Sequence, residues 1–258
     1  MKMKVLAIIG SPRKRGNTYQ ATQELEKEMQ KLGDFKFEYL FLKDTHLEMC
    51  SGCFNCVSRG EELCPLKDDR EDIEKRILEA DGVIFASPVY CQMISGLMKN
   101  FIDRFAYLFH RPAFFQQKGL ALCTTAGSGM NETLKYLETL HIWGFGKMNK
   151  LGIIIPLWPM SKGLHKKNQK NMKKTAHKFY KDLKKGGLAR PTFTEYIHFR
   201  FMKFTSEMGD YLPADHEFYK DKDIYFYPLK ISPFKRIMVT IMMKIVLFLM
   251  RDLGPAKN

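Results

Sequence analysis

Four closely spaced cysteines are the residues of this sequence best suited to carry chemistry. Their pattern is C-x2-C-x2-C-x7-C, within the segment 50–64. Two consecutive two-residue gaps are typical of iron–sulfur sites, in which thiolates surround one cluster, whereas zinc sites more often separate two pairs by a long gap. The spacing therefore favours an iron–sulfur site and leaves zinc binding or a loop of free thiols as alternatives. The candidate ligands are Cys50, Cys53, Cys56 and Cys64.

A loop at residues 10–18, with the sequence GSPRKRGNT, is a second candidate site. It lies between the apolar run Val5–Ile9 and a helical pattern, which is where a doubly wound sheet binds phosphate. It matches neither the Walker A motif nor the Rossmann G-x-G-x-x-G, and the alternative is a plain strand–helix turn. Hydroxyl and amide groups, positive charge and a flexible backbone suit phosphate binding, and they come from Ser11, Arg13, Gly16, Asn17 and Thr18.

Two further loops follow apolar runs that we expect to be strands. In the first loop, proline makes the backbone rigid and tyrosine can lie against a flat ring. The second loop consists of small residues that allow a ligand to approach closely. Together with the phosphate loop they suit a phosphate at one end and an isoalloxazine ring at the other. These ring-binding candidates are Pro88, Val89, Tyr90, Thr125, Ala126, Gly127 and Ser128.

Apolar runs alternate with helical patterns over the first two-thirds of the chain, which indicates a parallel sheet covered on both faces. Ser95 and Asn131 are expected to cap two of the helices. The fold class is therefore α/β, with a doubly wound five-stranded parallel sheet. The expected strands are 5–9, 35–42, 83–86, 119–123 and 151–157.

The alternation stops near residue 188, and helical patches follow it. We therefore expect a sheet domain at 1–187, which contains the cysteine loop 50–64, and a helical C-terminal extension at 188–258. The extension is expected to pack on the main domain or at a subunit interface. Cys91 and Cys123, which lie outside the cysteine motif, are expected to be small buried side chains. A position near the ring site is the alternative for Cys91, which directly follows Tyr90.

Five motifs occur in a fixed order along the chain: GSPR…GNT at 10–18, the cysteine loop, Asp68-Asp69, ADGVIFASPVY at 80–90 and KNFIDR at 99–104. On these motifs, residues 1–185 resemble the NAD(P)H-dependent FMN reductase family of flavodoxin-like proteins, and within it the iron–sulfur flavoproteins. The resemblance implies a flavodoxin-like sheet, bound FMN and NAD(P)H as co-substrate. It also implies that the phosphate loop and the two ring loops hold FMN, and that the four motif cysteines ligate a 4Fe–4S cluster.

The expected function is an FMN-dependent oxidoreductase that takes electrons from NAD(P)H and passes them, through the cluster, to an electron carrier or a small acceptor. FMN would perform the chemistry, so no catalytic side chain is expected. One alternative is a cluster-free NAD(P)H:flavin or quinone reductase. Another is a flavodoxin-type electron carrier that is not an enzyme, and a third is a thiol-based redox sensor.

The chain carries a formal net charge of +14 over 258 residues. Recognisable nucleic-acid-binding signatures are missing, so we expect no nucleic acid partner. A lysine-rich segment at 161–185 is either a solvated helix face or a dock for an acidic electron carrier such as ferredoxin. The chain starts without a signal-peptide pattern, and clustered cysteines then suggest the cytoplasm.

An apolar segment at 237–250 has basic residues at its ends and falls short of the ~20 residues that a membrane-spanning helix needs. Its first interpretation is a buried helix at the interface of a homo-oligomer. The second is an anchor at a membrane surface, since a basic-flanked apolar helix can lie in the interface.

Overall fold

A computed structural model describes residues 2–188, 190–207 and 210–249. Five strands form one sheet in the order β2-β1-β3-β4-β5, and every neighbouring pair is parallel. This is the strand order of flavodoxin-like doubly wound folds, so the predicted fold class is confirmed. The strands are β1 Met3–Ile9, β2 Phe35–Phe41, β3 Gly82–Pro88, β4 Lys118–Thr125 and β5 Asn149–Ile154.

Helices follow or separate these strands, and three of them form the C-terminal extension, as the sequence predicts. In the part of the chain that the structure describes, no helix has the length and apolar character needed to cross a bilayer. The helices are α1 Asn17–Gln30, α2 Asn55–Ser58, α3 Arg70–Leu78, α4 Gly96–Arg104, α5 Met130–Glu138, α6 Lys162–Lys185, α7 Phe193–Ser206, α8 Pro213–Tyr219 and α9 Pro233–Leu249.

The central strand β3 is buried along its whole length, because side chains cover both faces of the sheet. On one face, α1 and α6 contribute apolar residues such as Leu25 and Phe179 to the core. On the other face, the ring of Phe85 lies 5.3–6.2 Å from the rings of Phe101, Trp143 and Phe145. This packing leaves the strand ends as the place where the sheet can bind a ligand.

The chain separates into two compact units. The first comprises Met1–Cys53 and Pro65–Ala189, and the second comprises Phe54–Cys64 and Arg190–Asn258. In the second unit, α2 packs against α8, and a core of aromatic side chains around Phe199 holds α7–α9 together. These units differ from the predicted domains, since residues 54–64 of the cysteine loop belong to the second unit. The predicted boundary at 187/188 stays a prediction.

Of the two helix caps predicted from the sequence, Ser95 is confirmed and Asn131 is wrong. Ser95 caps α4, because its side-chain oxygen accepts a hydrogen bond from Met98 N. Asn131 does not cap α5, which begins at Met130. Gly129 is the residue before this helix, and its φ of 75° lies in the left-handed region that favours glycine. Asn131 therefore lies in the first helical turn.

Candidate functional site

A cavity of about 220 Å³ lies where β1, β3, β4 and β5 end. Parallel strands bring their carboxyl ends to one edge of the sheet, so the loops that follow them meet there. Of the twelve residues predicted to bind a cofactor, ten line the cavity: Ser11, Arg13, Gly16, Asn17, Thr18, Pro88, Val89, Tyr90, Thr125 and Ala126.

Sequence reasoning missed four residues of the cavity wall: Thr124, Ile155, Pro156 and Leu157. Thr124 belongs to β4, and the other three directly follow β5. The predicted strand extended to Leu157, so residues 155–157 were assigned to the strand and not to the loop that follows β5. The rule that sheet ligands bind beyond strand ends would have identified this loop if the strand had been ended at Ile154.

Gly127 and Ser128 are the two predicted residues outside the cavity lining. The loop folds back on itself, since Thr125 Oγ1 donates a hydrogen bond to Ser128 O at 2.6 Å and accepts one from Gly127 N at 3.1 Å. Gln92 Nε2 also donates to Ser128 Oγ at 2.8 Å. These two residues therefore shape the loop.

The phosphate loop is closed by short-range hydrogen bonds. Ser11 Oγ accepts from Arg13 N at 3.2 Å, and Gly16 N donates to Arg13 O at 3.1 Å. A Cβ at Gly16 would lie 3.0 Å from Arg13 Cβ, so glycine permits the tight approach. As the residue before α1, Gly16 has no side chain to cap the helix, and the first turn carries no acidic residue. The N–H groups of this turn are therefore suited to an anion.

Thr18 connects the phosphate loop to the centre of the sheet. Its hydroxyl lies 2.7 Å from the hydroxyl of Thr124, and both side chains are buried. One of the two hydroxyls donates to the other. The pair fixes the start of α1 to the end of β4, so Thr18 positions the loop in addition to lining the cavity.

The hydroxyl of Ser95 joins three elements below the cavity. Ser95 Oγ donates to Gly10 O at 2.5 Å, and Ser95 N donates to Ser87 Oγ at 3.0 Å. A Cβ at Gly10 would lie 2.9 Å from Met98 Cβ, so a glycine is needed for α4 to approach β1 this closely. These contacts hold the end of β1, the end of β3 and the start of α4 in one arrangement.

A tight turn between Tyr90 and Met93 lies at the rim of the cavity. The backbones of Tyr90 and Met93 exchange two hydrogen bonds of 2.9 and 3.0 Å. Between them, Cys91 and Gln92 have φ angles of 47° and 70°, which residues other than glycine rarely adopt. Cys91 is exposed at the tip of this turn, so the expectation that it is buried was wrong.

Cys123 behaves as the sequence predicts. It lies in β4 and is buried, and burial raises the pKa of its thiol to about 12. A thiol with this pKa stays protonated at neutral pH, which suits a small core side chain rather than a nucleophile or a metal ligand.

Of the four cysteines in the motif, Cys53 is exposed, and Cys50, Cys56 and Cys64 are half-buried. Among residues 2–188, 190–207 and 210–249, no group of three or more His, Cys, Asp and Glu side chains is arranged to hold a metal ion. The ligand roles of Cys50, Cys53, Cys56 and Cys64 stay predictions.

The segments that flank the cysteine loop are held by α4. Cys50 N donates to Asn100 Oδ1 at 2.9 Å, and Glu48 N donates to Asp68 Oδ2 at 2.9 Å. Arg104 forms a 2.8 Å ion pair with the other oxygen of Asp68, and both side chains are almost completely buried. The chain therefore enters and leaves the loop at fixed positions in the first unit.

Two kinds of comparison bear on this site. Residues 3–154 match the sequence model of the family described as NADPH-dependent FMN reductase. An iron–sulfur flavoprotein of Archaeoglobus fulgidus is 35% identical over 144 residues, which is 55% of this chain and 64% of the relative. An iron–sulfur flavoprotein of Clostridioides difficile is 31% identical over 140 residues, 54% of this chain and 61% of the relative. The chain thus matches less than two thirds of the length of these relatives.

Solved structures share the fold. RosB, solved with bound 8-demethyl-8-formylriboflavin-5'-phosphate, has a TM-score of 0.55 and 15% identity, and the match covers 90% of this chain and 93% of RosB. An NAD(P)H:quinone oxidoreductase from Methanothermobacter marburgensis has a TM-score of 0.51 and 16% identity, covering 68% of this chain and 95% of that one. At these identities the likeness shows the fold alone.

We expect Ser95→Ala to lower the free energy of unfolding by about 2 kcal/mol, since it removes a buried helix cap and the bond to Gly10 O. Ser161→Ala is the matched control, because Ser161 caps α6 with the same bond to the third helical N–H but is exposed. Ser161→Ala should lower the free energy of unfolding by about 1 kcal/mol. Urea unfolding followed by circular dichroism measures both, and equal losses would contradict the role given to Ser95.

Proposed function

Because this chain belongs to the NADPH-dependent FMN reductase family, we propose that it binds FMN in the cavity at the strand ends and transfers electrons from NAD(P)H. One observation carries this proposal: the phosphate loop and the loops after β3, β4 and β5 meet around one cavity. We propose that the cofactor-binding residues are Ser11, Arg13, Gly16, Asn17, Thr18, Pro88, Val89, Tyr90, Thr125, Ala126, Gly127 and Ser128, the last two by shaping their loop.

At the phosphate end, the residues present fit a dianion. The first turn of α1 offers N–H groups without a competing cap or acid, and Arg13 adds an exposed positive charge at the cavity wall. The Asn17 side chain is exposed at the same place and can donate from its amide. We propose that these groups hold the phosphate, while the Thr18–Thr124 hydroxyl pair holds the loop in position.

At the other end, the wall fits a flat ring. Pro88, Val89, Ile155 and Pro156 contribute apolar surface to the wall, and Tyr90 also lines it with 42% of its surface exposed. When bound, FMN supplies the capacity to accept a hydride from NAD(P)H and to release electrons. The task of the wall is to orient the ring and exclude water from it. No protein acid or base is required, so we propose no catalytic side chain.

We further propose that Cys50, Cys53, Cys56 and Cys64 ligate a 4Fe–4S cluster that carries the electrons onward. The donor set supports this, since four cysteines with this spacing match cluster-binding chemistry. The iron–sulfur flavoproteins that this chain resembles support it by their name. Ligation requires the four sulfurs to come together around one cluster. The segments before Cys50 and after Cys64 would stay anchored through Asn100 and Asp68 while this happens.

An acidic electron carrier such as ferredoxin is the acceptor that we propose. Seven lysines of the lysine-rich segment lie on α6 and are exposed, so they offer a positive face to such a partner. These side chains are Lys166, Lys167, Lys170, Lys173, Lys174, Lys178 and Lys181.

We expect Arg13→Gln to weaken FMN binding about tenfold and to leave riboflavin binding unchanged, because riboflavin lacks the phosphate. Arg15→Gln is the matched control: it makes the same change of charge in the same loop, but Arg15 is outside the cavity lining. Titration of the apoprotein followed by flavin fluorescence measures both affinities. Equal losses in the two variants, or an equal loss for riboflavin, would contradict the phosphate site.

Each of the variants Cys50→Ser, Cys53→Ser, Cys56→Ser and Cys64→Ser should lose bound iron and keep FMN, since a cluster needs all its thiolates. Cys91→Ser is the control, because Cys91 is an exposed cysteine outside the motif. Anaerobic purification with iron, zinc, sulfide and flavin assays gives the result. About four iron atoms per wild-type chain are expected. FMN without metal would leave a cluster-free reductase, and zinc would make the loop structural.

The FMN-loaded chain should oxidise NAD(P)H in the steady state with ferredoxin as acceptor, and the rate should fall as salt screens the lysines of α6. Anaerobic stopped-flow absorbance at the flavin band measures the reductive step separately from the transfer to ferredoxin. If NAD(P)H does not reduce the flavin while dithionite does, the chain is a flavodoxin-type electron carrier and the proposed activity is wrong.

A further inference from the structure

Helix α9 carries an apolar face that is exposed in the part of the chain that the structure describes. Val239 and Met243 pack into the core of the second unit and are buried. The side chains of another face are between 37% and 74% exposed, and all of them are apolar. They are Phe234, Ile237, Met238, Ile241, Ile245, Phe248 and Leu249.

These seven side chains form one continuous stripe. At ~100° per residue they fall within a sector of about 120° around the helix axis. The stripe extends over the 17 residues of the helix, with a phenylalanine near each end. Exposed apolar surface of this extent marks an interaction site more often than an ordinary surface.

The charged residues of α9 indicate which kind of surface the stripe contacts. The segment 233–249 contains three basic residues and no acidic one. Arg236 and Lys244 are exposed, whereas Lys235 Nζ donates to Pro191 O. In projection, Lys244 lies about 20° from Ile237 at the edge of the stripe. A positive charge thus borders the apolar face.

A second copy of this helix is a poor match for the stripe. Two copies packed stripe to stripe would each place Lys244 at the edge of the contact, with no carboxylate on the helix to pair with it. A surface of anionic lipids has the complementary charge and accepts an apolar helix face at the depth of its headgroups. The net charge of +14 adds long-range attraction to such a surface.

We propose that α9 lies in the plane of an anionic lipid surface, with the exposed stripe inserted among the headgroups and acyl chains. Val239 and Met243 would keep the helix attached to the second unit. The lipid surface and the FMN cavity involve different residues, so this inference holds whether or not the proposed electron transfer is correct.

Flotation of the 258-residue chain with vesicles tests the proposal. We expect binding to vesicles of 70% phosphatidylcholine and 30% phosphatidylglycerol, and binding at least tenfold weaker to pure phosphatidylcholine. Raising the salt from 50 to 500 mM should weaken the binding. Ile241→Glu should reduce binding to the anionic vesicles more than tenfold, and Lys244→Gln about fivefold, because each cation near an anionic surface contributes on this scale.

Ile224→Glu is the matched control, since Ile224 is a 42% exposed isoleucine of the second unit outside α9. It should bind like the wild type, and circular dichroism should show that all variants are folded. Failure to float with anionic vesicles would overturn the proposal. So would a dimer in analytical ultracentrifugation that Ile241→Glu dissociates, because a second copy would then cover the stripe. Equal loss in Ile224→Glu and Ile241→Glu would also overturn it.

Discussion

Parallel pairing of the strands is the constraint on which the rest of the first unit depends. Five strands that run in one direction all end at the same edge of the sheet, so the chain has to turn there after each strand. The turns after four of them, β1, β3, β4 and β5, line the cavity. The cavity is a consequence of this arrangement. Its fine geometry depends on two small hydroxyl contacts, Thr18 with Thr124 and Ser95 with Gly10, which fix the helices that begin at this edge.

The sequence predicted those parts of the fold and the site where the type of residue and its position along the chain indicate the same structure. Apolar runs with helical patterns between them predicted the sheet, and polar groups after the first strand predicted the phosphate loop. Ile155–Leu157 were missed because these apolar residues continue the pattern of β5, so the sequence did not show that the strand ends at Ile154. Gly127 and Ser128 lie outside the cavity lining because Thr125 Oγ1 bonds within its own loop, which composition does not show.

Local backbone conformation was the other limit of the prediction. Asn131 is a good capping residue by type, but the left-handed Gly129 starts the helix earlier. Cysteine is a residue type that is usually buried, but the two-residue turn between Tyr90 and Met93 places Cys91 at an exposed tip. In both positions a left-handed backbone conformation decided the outcome, at Gly129 before α5 and at Cys91 itself. Burial patterns over longer segments, such as β3, were predicted because they average over many residues.

The anchoring of the cysteine loop has a consequence for how such proteins can change. His46 N donates to Asp69 Oδ2 at 2.7 Å, and Glu48 N donates to Asp68, so the chain returns close to where it departed. Lengthening a loop whose ends are already fixed costs little additional closure entropy. The segment between these anchors is therefore an exchangeable insert. Evolution could shorten, extend or replace it, with its thiols, while the sheet and its cavity keep their geometry.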